Sequence, residues 1–401
     1  MIKVALCGIG RMGSYHLAVH EKLAAEQADI KIVAICDVEP HKLIGGGTAK
    51  VNLSGGGTPQ HYGDYRHYTD YDEMLCAEAP DFVDVILPTY LHCGAAVKAL
   101  ERGAHCLCEK PMALLPAECA RMTDAAERSG KFLMVGHCLR FWREYVWLKR
   151  CVESGVYGQA RGAYFWRGGF QDHRKNPSWQ DWIITKEKGG GALFDQHIHD
   201  IDAVRWLFGP PEAVSVRART VFPKSANDIV SAAYHYGDKV VTALDDITYK
   251  GVPFGYGFKV NFEKATLEYR DNVLKVYTED GAVFTPVYDD PLTPSDDAYY
   301  NEIRYFYDCI RSGRAPDAVP LSDSAAAVSL ALKEAESASR SRRSNEGGRQ
   351  WRCMWSISPK PSGKRRRWTI SAFRWSTAAC SDSSAPMAPA RRPRSASSSA
   401  L

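Results

Sequence analysis

The chain of 401 residues is 45% hydrophobic and 24% charged, an ordinary balance for a globular protein with room for two domains. Its formal charge of +4 hides two unlike pieces: residues 337–401 hold 14 Lys+Arg against 2 Asp+Glu, which leaves residues 1–336 with 37 basic and 45 acidic residues, a net of −8. That acidic body gives nucleic acid nothing to bind, and no apolar run approaches the length of a membrane span.

The chain opens Met-Ile-Lys-Val-Ala-Leu, without the charged n-region and small-residue cleavage site of a secretory signal. Its 12 cysteines are scattered, and Cys7, Cys36, Cys106 and Cys108 fall on predicted strands, as reduced thiols do in a cytoplasmic core. Cys106 and Cys108 share a strand face but lack two further ligands at metal spacing, so no metal is predicted there.

In chain order, residues 2–7 read as a strand buried on both faces, followed by a helix to about Lys22 and a second strand, Ile30–Cys36. The triplets Gly45-Gly46-Gly47 and Gly55-Gly56-Gly57 argue against a stable helix before Tyr68 and predict a short helix and a mobile loop. Strand 82–87, helix 93–102, strand 104–108, helix 116–129 and strand 132–135 complete an alternating βαβ pattern. The first domain, residues 1–137, is therefore an α/β Rossmann fold with a doubly wound parallel sheet.

Past His137 the pattern changes. A helix at 144–154 precedes strand runs at 161–166, 213–220, 229–236, 240–247, 257–262 and 265–269, with helices from about Gly190, over 297–312 and over 325–335. Residues 138–336 are thus predicted to form an α+β domain with a largely antiparallel open sheet.

Gly8, Gly10 and Gly13, with Arg11 and Met12 between them, give G-x-G-x-x-G directly after a strand and before a helix, the pattern of a dinucleotide pyrophosphate turn. Asp37 closes the second strand 24 residues past Gly13, where a carboxylate can take ribose hydroxyls and repel a 2′-phosphate; NAD is expected over NADP. The bland alternative for Asp37 is a strand-end cap. Glu109-Lys110-Pro111 ends a strand at the sheet edge where such folds bind ligands; read alone, Lys110 is a solvated loop lysine. Asp195, His199 and Asp202 at i, i+4 and i+7 share one predicted helix face, with a packed core histidine as the plain reading of His199. Asp202 reads as an ion-pair or cap residue. His197 and His199, at i and i+2, do not face a common ion, so the Asp-x-His-x-His string is not read as a metal site.

These three stations, together with Gly189-Gly190-Gly191 ahead of Asp195, resemble the Gfo/Idh/MocA family of nicotinamide-dependent sugar and cyclitol dehydrogenases over roughly residues 1–336. The resemblance implies that Lys110 hydrogen-bonds the reacting oxygen, that Asp195 and His199 are its active-site partners, and that Glu109 orients Lys110. It implies a cis bond before Pro111 and places Pro88-Thr89 near the nicotinamide. His92 joins the expected cofactor contacts, and Arg140 and Trp166-Arg167 the expected substrate pocket. His197 stands where many members carry glycine. The aromatic and polar stretch Tyr164–Trp182 suits sugar stacking. A homodimer or homotetramer acting on a small polyol or sugar is expected. The alternatives are an NADP-linked keto-sugar reductase, an NAD-using glycosidase relative, or a non-catalytic sensor.

From Ser337 on, apolar periodicity ends and Ser, Arg, Ala and Pro dominate, with Trp351, Trp355, Trp368 and Trp375 among them. This composition predicts a disordered basic tail over 337–401, as from a shifted reading frame in a GC-rich gene. The rival is a basic arm with clusters at Arg340–Arg343 and Lys364–Arg367.

Overall fold

The structure, a computed structural model, describes residues 1–44, 62, 65–169 and 182–346. Both glycine triplets, most of the aromatic stretch and the tail past Glu346 lie outside the described residues.

The chain begins with β1 (Ile2–Cys7), α1 (Arg11–Glu26), β2 (Ile30–Cys36), β3 (Arg66–Tyr68), α2 (Tyr71–Glu78), β4 (Phe82–Val85), α3 (His92–Glu101), β5 (His105–Glu109), α4 (Pro116–Ser129) and β6 (Leu133–Gly136). The six strands are parallel in the order β3-β2-β1-β4-β5-β6, the doubly wound arrangement expected. Strand alternation divides the core: Val4 and Leu6 face one layer, Ala5 and Cys7 the other. The ten cysteines among the described residues are free thiols.

The second half comprises α5 (Arg143–Ser154), β7 (Ala160–Gly168), α6 (Ala192–Asp195), α7 (Ile198–Phe208), β8 (Ala213–Arg219), β9 (Ile229–His235), β10 (Val240–Asp246), β11 (Gly255–Phe262), β12 (Ala265–Arg270), β13 (Val273–Thr278), β14 (Val283–Phe284), α8 (Ala298–Ser312) and α9 (Leu321–Glu346). Its sheet runs β14-β13-β12-β11-β7-β10-β9-β8, antiparallel except at β10–β7. α8 packs back onto the first sheet: Ile303, Phe306 and Tyr307 join Leu6, Phe82 and α1 in one apolar cluster. Asp297 caps α8 by accepting from Tyr299 and Tyr300 N–H. No helix among the described residues is long and apolar enough to cross a membrane.

The expected tail boundary at Ser337 is corrected, because α9 continues to Glu346. Val216, on the edge strand β8, donates its N–H to Ser337 Oγ at 3.0 Å, and Ala338 is buried. Tertiary docking over a sheet edge extends a helix that lacks an apolar repeat of its own. A chain ending at Glu336 is therefore expected to be less stable than one ending at Glu346 by about 1–2 kcal/mol, the scale of one lost hydrogen bond plus small apolar burial. Denaturant unfolding of the two chains checks this; equal midpoints would contradict it.

Candidate active site

A cavity of about 1050 Å³ runs along the carboxyl edge of the first sheet and under the second domain. Its floor at one end is the glycine turn. Gly8 has φ +99°, and a Cβ there would lie 2.2 Å from Ile86 O; a Cβ on Gly13 would lie 1.8 Å from Gly8 O. These glycines let β1, β4 and α1 close on one another. A Cβ on Gly10, by contrast, would meet nothing within 4 Å, so the backbone there is open to a ligand's approach. α1 starts at Gly10 with no side-chain cap and no acidic residue in its first turn, which leaves its N–H dipoles facing an anion site lined by Arg11 and Met12. Asp37 both lines the cavity and braces the turn: Oδ2 accepts from Ile9 N–H and Oδ1 from Glu39 N–H, each at 2.9 Å. Pro88 and Thr89 line the wall beyond β4.

At the other end, Lys110 follows β5 and the Lys110–Pro111 bond is cis. Its ammonium donates to the carbonyl oxygen of Asp195 at 2.6 Å and to Asp195 Oδ1 at 3.3 Å. The single helix expected to carry Asp195 and His199 is broken between α6 and α7. His199 N–H bonds to Gln196 O instead of to Asp195 O, and His197 N–H reaches back to Ala192 O. The break leaves Asp195 O for the lysine. Gln196 Nε2 donates to Asp195 Oδ2 at 2.8 Å and fixes the carboxylate. His199 also lines the cavity. Burial, then the charges of Lys110, Arg167 and His137, hold its imidazole well below the usual pKa and keep it neutral.

Three expected contacts are placed elsewhere. His92 is fully buried and bridges two carbonyls, Pro111 O from Nδ1 and Leu87 O from Nε2, both at 2.8 Å. It ties the loops flanking the cavity together without lining it. Arg140 is buried in the core: Nε and Nη2 donate to Asp202 at 3.0 and 2.8 Å, and Nη1 donates to Asp323 at 3.1 Å. A guanidinium with its donors so engaged joins the turn after β6 to α7 and α9. Burial alone would raise the pKa of Asp202, but the Arg140 charge outweighs it and holds the carboxyl low. Trp166 lies on the other face of β7, over Gly255 and Gly257 of β11, because strand alternation sends Phe165 and Arg167 inward instead. Arg167 does line the cavity, paired with Asp200 at 3.2 Å. Trp142, Trp182, Phe254 and Tyr256 line it too, without having been singled out individually; aromatic content near the expected pocket was their only signal in the sequence.

Glu109 leads away from the cavity into a buried polar chain. Its Oε2 accepts from Lys110 N–H at 3.0 Å, and its Oε1 lies 3.3 Å from His16 Nε2. His16 Nδ1 contacts Asp84 Oδ2 at 2.8 Å, and Asp84 also holds His20, which reaches Tyr307 OH. Burial opposes charging of His16, yet Asp84 and then Glu109 raise its pKa well above the usual value. Burial likewise opposes ionised Asp84, and His16 and His20 outweigh it and lower its pKa.

Two family models match in tandem: an oxidoreductase family with an NAD-binding Rossmann fold over residues 2–137, and the Gfo/Idh/MocA C-terminal domain over residues 145–268. The chain belongs to the Gfo/Idh/MocA oxidoreductase family. It is 31% identical over 218 residues to a 2,7-anhydro-N-acetylneuraminate hydratase of Mediterraneibacter gnavus, covering 54% of this chain and 52% of that protein. It is 27% identical over 256 residues to the D-glucoside 3-dehydrogenase of Escherichia coli, covering 64% and 68%. The chain thus spans about half to two thirds of the length of these curated relatives. Its fold matches that of levoglucosan dehydrogenase, solved with NADH and levoglucosan, with a TM-score of 0.71 at 20% identity over 84% of this chain and 97% of the other.

The His16–Asp84 pair carries a pH signature. His16, raised, stabilises fully below its unfolded value near 6.5, and that stability is lost as pH rises through the folded pKa. Asp84, lowered, stabilises above its unfolded value near 3.8, and that is lost as pH falls through the folded pKa. Asp84→Asn is expected to cost about 3 kcal/mol or more between those two values, the scale of a broken buried pair, and progressively less at higher pH. Urea unfolding of both proteins across pH would show a pH-independent difference if the pair were not ionised.

Proposed function

We propose that this protein is an NAD-dependent dehydrogenase oxidising a secondary hydroxyl of a sugar, cyclitol or sugar derivative. The observation that carries this reading is one cavity holding the glycine turn at one end and Lys110, Asp195 and His199 at the other. The turn fits the dinucleotide: open backbone at Gly10, uncapped N–H groups at the start of α1, and Asp37 for the ribose. When bound, the nicotinamide supplies the hydride acceptor.

The residues of this chain would supply binding and proton management. Trp182 and Tyr256 line the cavity and would pack against the apolar side of a sugar ring. The Lys110 ammonium would hold the reacting oxygen, and neutral His199 would take the hydroxyl proton as negative charge develops there. Asp195 fixes Lys110 through both its carbonyl and its carboxylate. Lys110 belongs to the first domain and Asp195 and His199 to the second, so the reacting oxygen would be held only where the two meet. The outward side chains of the second sheet would serve pairing into a homo-oligomer.

A hydratase among the relatives favours a second reading, in which the same groups oxidise and re-reduce one substrate with no net change in cofactor. A substrate panel separates the two: NADH accumulating with product supports the dehydrogenase, and product formed without NADH supports the second reading.

Lys110→Met is expected to leave NAD affinity nearly intact and lower turnover by at least about 10²–10⁴, the range for a lost proton-transfer group. Calorimetry with NAD and steady-state kinetics check both halves; near-native turnover would end the mechanism. NAD is also expected to bind at least about tenfold more tightly than NADP, roughly 1.4 kcal/mol, because the Asp37 carboxylate would repel a 2′-phosphate. Equal affinities would remove Asp37 from that role.

A further inference from the structure

Behind the α6–α7 break lies a second polar cluster that the proposed chemistry does not use. His197 precedes α7, and Asp200 follows it by three residues in the first turn. Asp245 comes from β10, whose parallel register sets it beside Arg167 of β7. One ligand-capable atom from each of His197, Asp200 and Asp245 lies within 4.8 Å of the others, and all three residues are buried. None of the three lines the cavity.

Two features point to an occupant. Asp245 has no solvent exposure, and neither of its carboxylate oxygens has a hydrogen-bond partner among the described residues. His197 is equally buried, with Nδ1 unpartnered among the described residues, while its Nε2 lies 3.1 Å from Glu334 Oε2 and 3.3 Å from Tyr234 OH. A carboxylate beside Nε2 favours the proton there and leaves the Nδ1 lone pair as the free donor of the ring. Carboxylate–histidine–metal sites share this arrangement. Around the cluster, Arg167 pairs with Asp200 at 3.2 Å and Lys110 with Asp195 at 3.3 Å, so no cation among these pairs is within an ion-pair contact of Asp245.

We propose that His197 Nδ1, Asp200 and Asp245 bind one divalent transition-metal ion. One imidazole nitrogen with carboxylate oxygens suits the manganese-to-zinc series, while magnesium and calcium favour oxygen alone. With Asp245 bidentate, the donors number four. The guanidinium of Arg167 shares Asp200 and stays outside the ligand set. The ion is structural: it pins the first turn of α7 to β10 and so holds the break that exposes Asp195 O to Lys110.

The test uses the full chain and a readout independent of activity. Because the site is enclosed, the protein is produced in Mn²⁺-supplemented medium, or unfolded and refolded with Co²⁺, then desalted. Elemental analysis is expected to find about one ion per chain, as for a site whose binding is coupled to folding. Pulsed EPR of the Mn²⁺ form is expected to show coupling to one histidine nitrogen, and Co²⁺ to give visible absorption. His197→Leu and Asp245→Asn are each expected to abolish retention. Wild-type protein that keeps no ion after either loading overturns the proposal. So does a retained ion that lacks the nitrogen coupling or survives both substitutions. If the variants do not fold, the wild-type nitrogen signature decides.

Discussion

The ammonium of Lys110 on the carbonyl oxygen of Asp195 is the contact on which the site depends. It can form only because the helix carrying Asp195 is interrupted, so that a carbonyl which α-helical geometry would give to His199 N–H is left for a side chain from the other domain. One bond thus settles two positions at once: where the lysine points, and how the start of α7 meets the end of β5. Gln196 on the carboxylate and His92 across Pro111 and Leu87 brace the two sides of it.

Around that contact the interior carries far more charge than an apolar core would. His16 with Asp84, Arg140 with Asp202, Arg167 with Asp200, and His197 with Glu334 are all buried pairs. Each costs desolvation, and the net gain over apolar packing is small. What such pairs provide is direction, since a guanidinium gripping a carboxylate tolerates little sliding. Three of the four join segments far apart in sequence to α7 or to the turn just before it, so the helix bearing His199 is fixed on several sides by contacts that fail if it rotates.

The parallel sheet and the glycine turn were legible because their cause is local. An apolar run on both strand faces, Gly8 where φ must be positive, and Gly13 where two backbones touch all leave one-residue signatures. The motif singled out Lys110 and His199, and both line the cavity. Arg140 and Trp166 were not placed correctly, for different physical reasons. Nothing in the spacing of Arg140 announces Asp202, 62 residues away, and the face of Trp166 follows from the alternation of β7, which sends its neighbours Phe165 and Arg167 inward. The extension of α9 past Ser337 was hidden because its driving force is the docked edge of β8, which composition does not record.

The eight residues Asp195–Asp202 show how one string can serve separate environments. On an unbroken helix, Asp195, His199 and Asp202 would share a stripe and nothing would distinguish them. Here the break and the depth of the cavity divide them. Asp195 and His199 reach the cavity, while Asp202, about one turn further along, passes beneath it to Arg140. His197 and Asp200 turn the other way, toward β10 and α9. A glycine at position 197 would leave Glu334 and Tyr234 facing an empty space, so the imidazole there is built into the second layer of the fold. Lys110 and His199 at the surface of the cavity are then only as well placed as the buried charges behind them allow, and a change at Glu334 or Asp245 would act on Lys110 through the backbone of α6 and α7 without touching any bound molecule.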